Sequence, residues 1–204
     1  MPRDKTQNHE KIIAAAYDEF LKYGFTEASM RRIADACDMS ASGLYKHFPS
    51  KEEIFAALVE PAYEGLKRAF LDIAERDIRE VDGSFSGSSW EESDDSLWVV
   101  RYIYDHYRAF RLLVCRSQGT RFEDYEHELA TLSEGSTLKY MRELKKHGIR
   151  VKKIPAKELH LLVTTNVHAI FLTVEHDLTR KEALQYAKHL DDYNIAGWEK
   201  LFLA

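Results

Sequence analysis

The sequence predicts an all-α protein. Four prolines and nine glycines are few interruptions for 204 residues. Long stretches place apolar residues three and four apart, the period of a helix buried on one face. Serines, glycines and prolines fall at the ends of those stretches, where helices start and stop.

The first helix is expected from about His9 to Tyr23, with Ile12, Ile13, Ala16, Phe20 and Leu21 on its buried side and Gly24 as its stop. Ser29 is a suitable N-cap for a short second helix, "MRRIADAC", burying Met30, Ile33 and Cys37. "DMS" leaves room only for a tight turn, and Asp38 is its residue best suited to a left-handed backbone. Ser40 caps a third helix from about Ala41 to His47. Ser50 and Glu53 form an S-x-x-E capping box opening a fourth, which runs through Ile54, Leu58, Leu66 and Phe70 with a kink expected at Pro61. The acidic, Ser/Gly-rich stretch Val81–Ser96 reads as a loop. Helical signals resume from Leu97 to about Arg116, break at "SQGTRF", and return from about Tyr125 to His147, closed by Gly148. Two last helices are expected over 156–176 and 179–202.

Composition excludes several classes. A hydrophobic fraction of 45% and a net charge of −5 suit an ordinary globular chain. "MPRDKTQNHEK" lacks the apolar core of a signal peptide, and no run reaches the roughly 18 apolar residues of a membrane span. A cytoplasmic protein with no membrane partner is expected. Cys37 and Cys115 are too few and too far apart for a zinc motif or a disulfide framework, and read as buried thiols. The nine histidines lack tight ligand spacings, and His160 and His168 read as a polar seam on one helix. There is no nucleophile elbow, no H-E-x-x-H and no Gly-rich phosphate loop. Neither enzyme, cofactor nor metal is expected.

The short second and third helices with their tight turn make a helix-turn-helix, in which one helix braces on a duplex and the next enters the major groove. Leu44 and Phe48, four apart, anchor the third helix to the core. Ala41, Ser42, Tyr45 and Lys46 are left outside, the small residues allowing close approach to base edges. His47 and Lys51 then stand where phosphate oxygens would lie. Through Lys51 there are eight basic and seven acidic residues, about +1 against about −6 for the remainder. That asymmetry has the sign expected of a DNA-binding end, and it is weak.

Residues from about Lys11 to Leu58 resemble the DNA-binding domain of the tetracycline-repressor (TetR) family of bacterial transcriptional regulators. The resemblance is carried by "IIAAAYDEFLKYGF", "SMRRIADACDMS" and "GLYKHFPSKEEIF", above all by L-Y-x-H-F-x-S-K at Leu44–Lys51. It implies base-reading positions at Arg31, Ala41, Ser42, Tyr45 and Lys46, and phosphate contacts at Ser29, Gly43, His47 and Lys51. Four residues depart from the family's habit. Ala41 replaces a longer polar residue, Gly43 a Thr, Ser or Ala, and Asp38 a turn glycine. Arg32 replaces a frequent Glu, losing a capping partner for Ser29 while adding a cation beside Arg31. The resemblance further implies a DNA-binding domain over 1–51 and a C-terminal effector-binding and dimerisation domain over 52–204. The partners it implies are a double-stranded DNA operator, a second copy of the chain and a small-molecule effector, with repression as the usual mode.

The C-terminal half adds its own signals. "ELHLLVTTNVHAIFLTVEHD" is apolar almost all round, as a helix buried on more than one side would be; a partner subunit is the economical answer, and the resemblance implies a four-helix bundle of this helix and the last one from each copy. The aromatic-rich "SLWVVRYIYDHYRAFRLLVC" suggests a cavity wall. An effector pocket near Trp98, Tyr102, Phe110, His168 and Phe171 is expected.

Overall fold

A computed structural model describes residues 5–81 and 94–202. Its described elements are all helices: α1 (Lys5–Glu27), α2 (Met30–Ala36), α3 (Ala41–Tyr45), α4 (Lys51–Glu80), α5 (Asp95–Asp105), α6 (Tyr107–Arg116), α7 (Tyr125–Lys146), α8 (Ala156–Glu175) and α9 (Arg180–Phe202). The chain divides into two compact units, residues 1–64 with 107–124, and residues 65–106 with 125–204. The expected loop falls mostly outside the described residues; of its ends, Val81 is buried, and Asp95 and Ser96 already belong to α5.

The N-terminal unit closes around Ile12, Phe20, Ile33, Leu44, Ile54 and Phe55, all fully buried. Phe20 and Phe55 meet edge to face at 5.2 Å. The unit is larger than the expected 1–51 domain, because α6 and the turns after it belong to it. Arg116 Nε donates to the Leu21 carbonyl at 2.8 Å, closing α6 on α1. Arg121 spans the start of α4, donating to Glu53 Oε1 at 3.2 Å and Glu60 Oε1 at 3.1 Å.

The helix expected from Leu97 to Arg116 is in fact two. It breaks at His106 (φ −116°, ψ 32°), whose Nδ1 lies 3.0 Å from the Tyr102 carbonyl oxygen. The His106 amide also donates to that carbonyl, at 3.1 Å, and the ring stacks on Tyr102 at 4.3 Å. Pro61 lies inside α4, which is continuous over its 30 residues.

The C-terminal unit packs α5 on α9 and α7 on α8, around Val100, Ile103, Leu129, Leu144, Phe171 and Val174. Asp191 of α9 is buried and caps α5, accepting from the backbone N–H of Ser96 at 2.9 Å and of Leu97 at 3.2 Å. Among the described residues, no helix is long and apolar enough to cross a membrane.

Candidate nucleic-acid interface and ligand cavity

The helix-turn-helix is built from its caps. Ser29 accepts from Arg32 N at 3.5 Å to start α2, and Ser40 accepts from Gly43 N at 3.1 Å to start α3. Between them, the amides of Asp38 and Met39 donate to the carbonyls of Asp35 and Ala34 at 3.2 and 3.0 Å, with Asp38 at φ 55°. This is the paired bonding of a Schellman ending, with aspartate in the left-handed position that glycine usually fills.

With Leu44 wholly buried and Phe48 nearly so, the rest of α3 turns outward. Tyr45 is 51% exposed, and Ala41, Ser42 and Lys46 are exposed beside it. Arg31 is exposed on α2, and His47 and Gly43 are half-buried. The Ser42 hydroxyl lies 3.1 Å from that of Ser40.

Two residues expected to reach DNA are instead held within the unit. Lys51 Nζ donates to the Thr26 and Ala28 carbonyls at 3.0 and 3.1 Å and sits 4.6 Å over the Phe25 ring. Its ammonium ties the end of α1 to the start of α4. Arg32 donates from Nε to Glu19 Oε1 at 2.8 Å and from Nη2 to the Glu27 carbonyl at 2.7 Å, and lies over Tyr23. The same Glu19 oxygen accepts from the Ser29 amide at 2.8 Å. Glu19 thus does from α1 what a glutamate at position 32 would do within α2, and Arg32 orients it. The capping box at Ser50 is also half-made: Ser50 accepts from Glu53 N at 3.2 Å, while the Glu53 carboxylate goes to Arg121.

The C-terminal unit contains a cavity of about 560 Å³ that none of the five expected effector residues lines. From α5 the wall takes Asp95, Ser96 and Val99, and from α8 Val163, Asn166 and Ile170. Successive helical residues are about 100° apart, so Trp98, next to Val99, points elsewhere. Trp98 is 37% exposed and stacks on Tyr102. Phe171 is buried edge-on against Tyr125, and Phe110 is buried in the N-terminal unit. His168 pairs with Glu126, Nδ1 to Oε2 3.2 Å. With Glu175 these two form a His/carboxylate group whose ligand-type atoms lie within 4.8 Å of one another. Sequence spacing misses it because Glu126 comes from α7.

The cavity had a sequence signal that aromatic content hid. Asp77 follows Phe70 and Ile73 on the core-facing stripe of α4, Asn166 follows Val163 on α8, and Asp191 and Asn194 precede Trp198 on α9. Polar residues recurring at core-facing positions mark a wall that faces space rather than packing.

Burial, then Asp95, pushes the Asp77 carboxyl above its usual range, with Arg76 pulling the other way. Burial likewise raises Asp191, against the hydrogen bonds from Ser96 and Leu97.

Residues 12–58 match the family described as bacterial regulatory proteins, tetR family. The match covers the helix-turn-helix end of the chain. Over 59 residues it is 36% identical to the HTH-type transcriptional regulator UidR of Escherichia coli K12, a stretch covering 29% of this chain and 30% of that relative. The likeness to this curated relative therefore spans less than a third of its length. Solved TetR-like structures extend the fold similarity to the remainder. PfmR from Thermus thermophilus, a TetR family regulator, has a TM-score of 0.59 at 19% identity, covering 89% of this chain and 94% of its own. FadR from Bacillus subtilis, in complex with stearoyl-CoA, has a TM-score of 0.57 at 13% identity, covering 92% and 98%. The family description and the relatives' names are those of regulators, not enzymes.

Proposed function

We propose that this chain is a TetR-family regulator, a homodimeric DNA-binding repressor that a small, largely apolar effector releases from a palindromic operator. The observation that carries the DNA-binding reading is the outward face of α3, where Tyr45 and Lys46 stand exposed on a helix anchored by Leu44 and Phe48. Arg31, Ser42 and Lys46 read base edges, Ala41 and Gly43 let the backbone approach, and Tyr45 and His47 hold phosphate. Ser29 and Lys51 shape the motif, and Arg32 fixes Glu19 rather than touching the duplex. The cavity of the C-terminal unit, lined by no recognisable catalytic set, is the effector site. FadR, of the same fold, is a structure with stearoyl-CoA bound.

The operator is obtained by sequencing fragments that the purified protein selects from a random DNA pool. On it, Tyr45→Phe and Lys46→Ala each weaken binding tenfold or more in a gel-shift titration, with unchanged melting temperature. Lys46→Ala also relaxes the preference at one symmetric pair of base positions, as loss of a base contact does. Wild-type affinity in the double variant would overturn the assignment of α3.

A further inference from the structure

We propose that the cavity of the C-terminal unit takes a cationic amphiphile, a small molecule with an apolar body and one amine or quaternary ammonium group. This rests on the reading of that cavity as the effector site and gives the effector its charge. At about 560 Å³ the space falls within the range of small-molecule sites. Phe70, Ile73, Leu132, Ile170, Ile195 and Trp198 supply apolar surface for the body.

Among the described residues the charged lining is almost all of one sign: Asp77, Glu80, Asp94, Asp95 and Asp191, against Arg76. Arg76 is already engaged. Its Nη2 lies 2.9 Å from both Asp77 Oδ1 and Asp95 Oδ1, so an incoming anion would have to displace a carboxylate from it. Asp191 is held by the start of α5. Asp77 keeps the unmet demand: one guanidinium serves two carboxylates, and burial and Asp95 together outweigh its help. A ligand cation beside Asp77 and Asp95 relieves that repulsion, whereas a neutral ligand leaves it and an anionic one adds to it. Asn166 and Asn194 offer amide oxygens to an N–H donor. The order of preference is therefore cation, neutral, anion, the reverse of what an acyl carboxylate or an acyl-CoA would need.

The test uses three ten-carbon probes that differ in headgroup: decyltrimethylammonium, decanol and decanoate. Each is titrated calorimetrically into the full-length protein below micelle-forming concentrations. Decyltrimethylammonium is expected to bind at least tenfold tighter than decanol, and decanol tighter than decanoate. Asp77→Asn weakens the cation about tenfold and strengthens decanoate, a crossed response that a general loss of fold does not produce. Glu80→Gln, at an exposed position, shifts both probes in the same directions by a smaller factor should Asp77→Asn fold poorly. Tighter binding of decanoate, or saturable binding of none of the three, overturns the proposal. Operator titration at saturating decyltrimethylammonium separates it from the regulatory reading. Saturable, charge-selective binding with unchanged operator affinity upholds the cation site and overturns the effector role.

Discussion

Aspartate stands in the left-handed position at the ends of both α2 and α8. Asp38 has φ 55° and Asp177 φ 53°, and the amides following them, of Met39 and Leu178, each donate at 3.0 Å to the carbonyl five residues back. Gly148 performs the same task after α7, at φ 80°. A left-handed backbone costs a residue with a Cβ more than it costs glycine, although aspartate lessens the cost with a local hydrogen bond. Asp38→Gly is therefore expected to stabilise the N-terminal unit by about 0.5–1 kcal/mol, visible as a higher urea midpoint at unchanged slope. A lower midpoint would mean that the Asp38 carboxylate makes a compensating contact. Asp38 was legible in the sequence because a three-residue turn leaves few conformations open. Arg32 and Lys51 were not. Both are exposed or half-exposed cations in a DNA-binding motif, and only the fold brings Glu19 of α1, and the Thr26 and Ala28 carbonyls at its C-terminal end, within their reach.

Several helix ends were read correctly where a cap or breaker marks them, although α1 is assigned to Glu27, with Gly24 a non-helical residue inside it rather than its end. Ser29, Ser40, Gly148 and Pro155 each stand where an element starts or stops. The break at His106 has neither glycine nor proline to mark it, and the apolar period runs on through it. Propensity can mislead in the other direction at Gly65, inside α4. By propensity alone, Gly65→Ala would stabilise by about 1 kcal/mol. A Cβ there, however, would meet the Tyr102 hydroxyl at a distance too short to tolerate, with the ring carbon Cζ at 3.2 Å. The Tyr102 ring is held between Trp98 and His106, stacked at 5.5 and 4.3 Å, so it cannot swing aside freely. Gly65→Ala is expected to destabilise by about 1–3 kcal/mol, as overpacking does. Adding Tyr102→Phe removes the nearest atom and should recover part of the loss. A thermal melt of the single and double variants decides it; a more stable single variant would show that the ring moves.

One stripe of α8 leaves apolar side chains exposed. Leu159, Val163, Val167, Ile170 and Val174 are buried in the C-terminal unit, while Leu161 is 65% and Leu162 36% exposed on another side. Leu161, Thr165, Ala169 and Leu172 recur at spacings of four, four and three, and the last two are only half-buried. Tyr193 of α9 is 77% exposed. An exposed leucine continued at helical spacing by Ala169 and Leu172 is the kind of surface that a partner can cover. A second copy of the chain fits the weak charge of the N-terminal end, since two modest half-site contacts made together bind far more tightly than either alone. Leu161→Glu places a carboxylate in the middle of the stripe. In sedimentation equilibrium the parent is expected at twice the 23.7 kDa mass of the chain and the variant at that mass itself. Operator affinity should then fall by about a hundredfold or more, the scale of lost bivalency, while helical circular dichroism and cavity ligand binding persist. A variant that stays dimeric would move the interface off α8, and a monomeric parent with full operator affinity would overturn the symmetric, two-half-site reading itself.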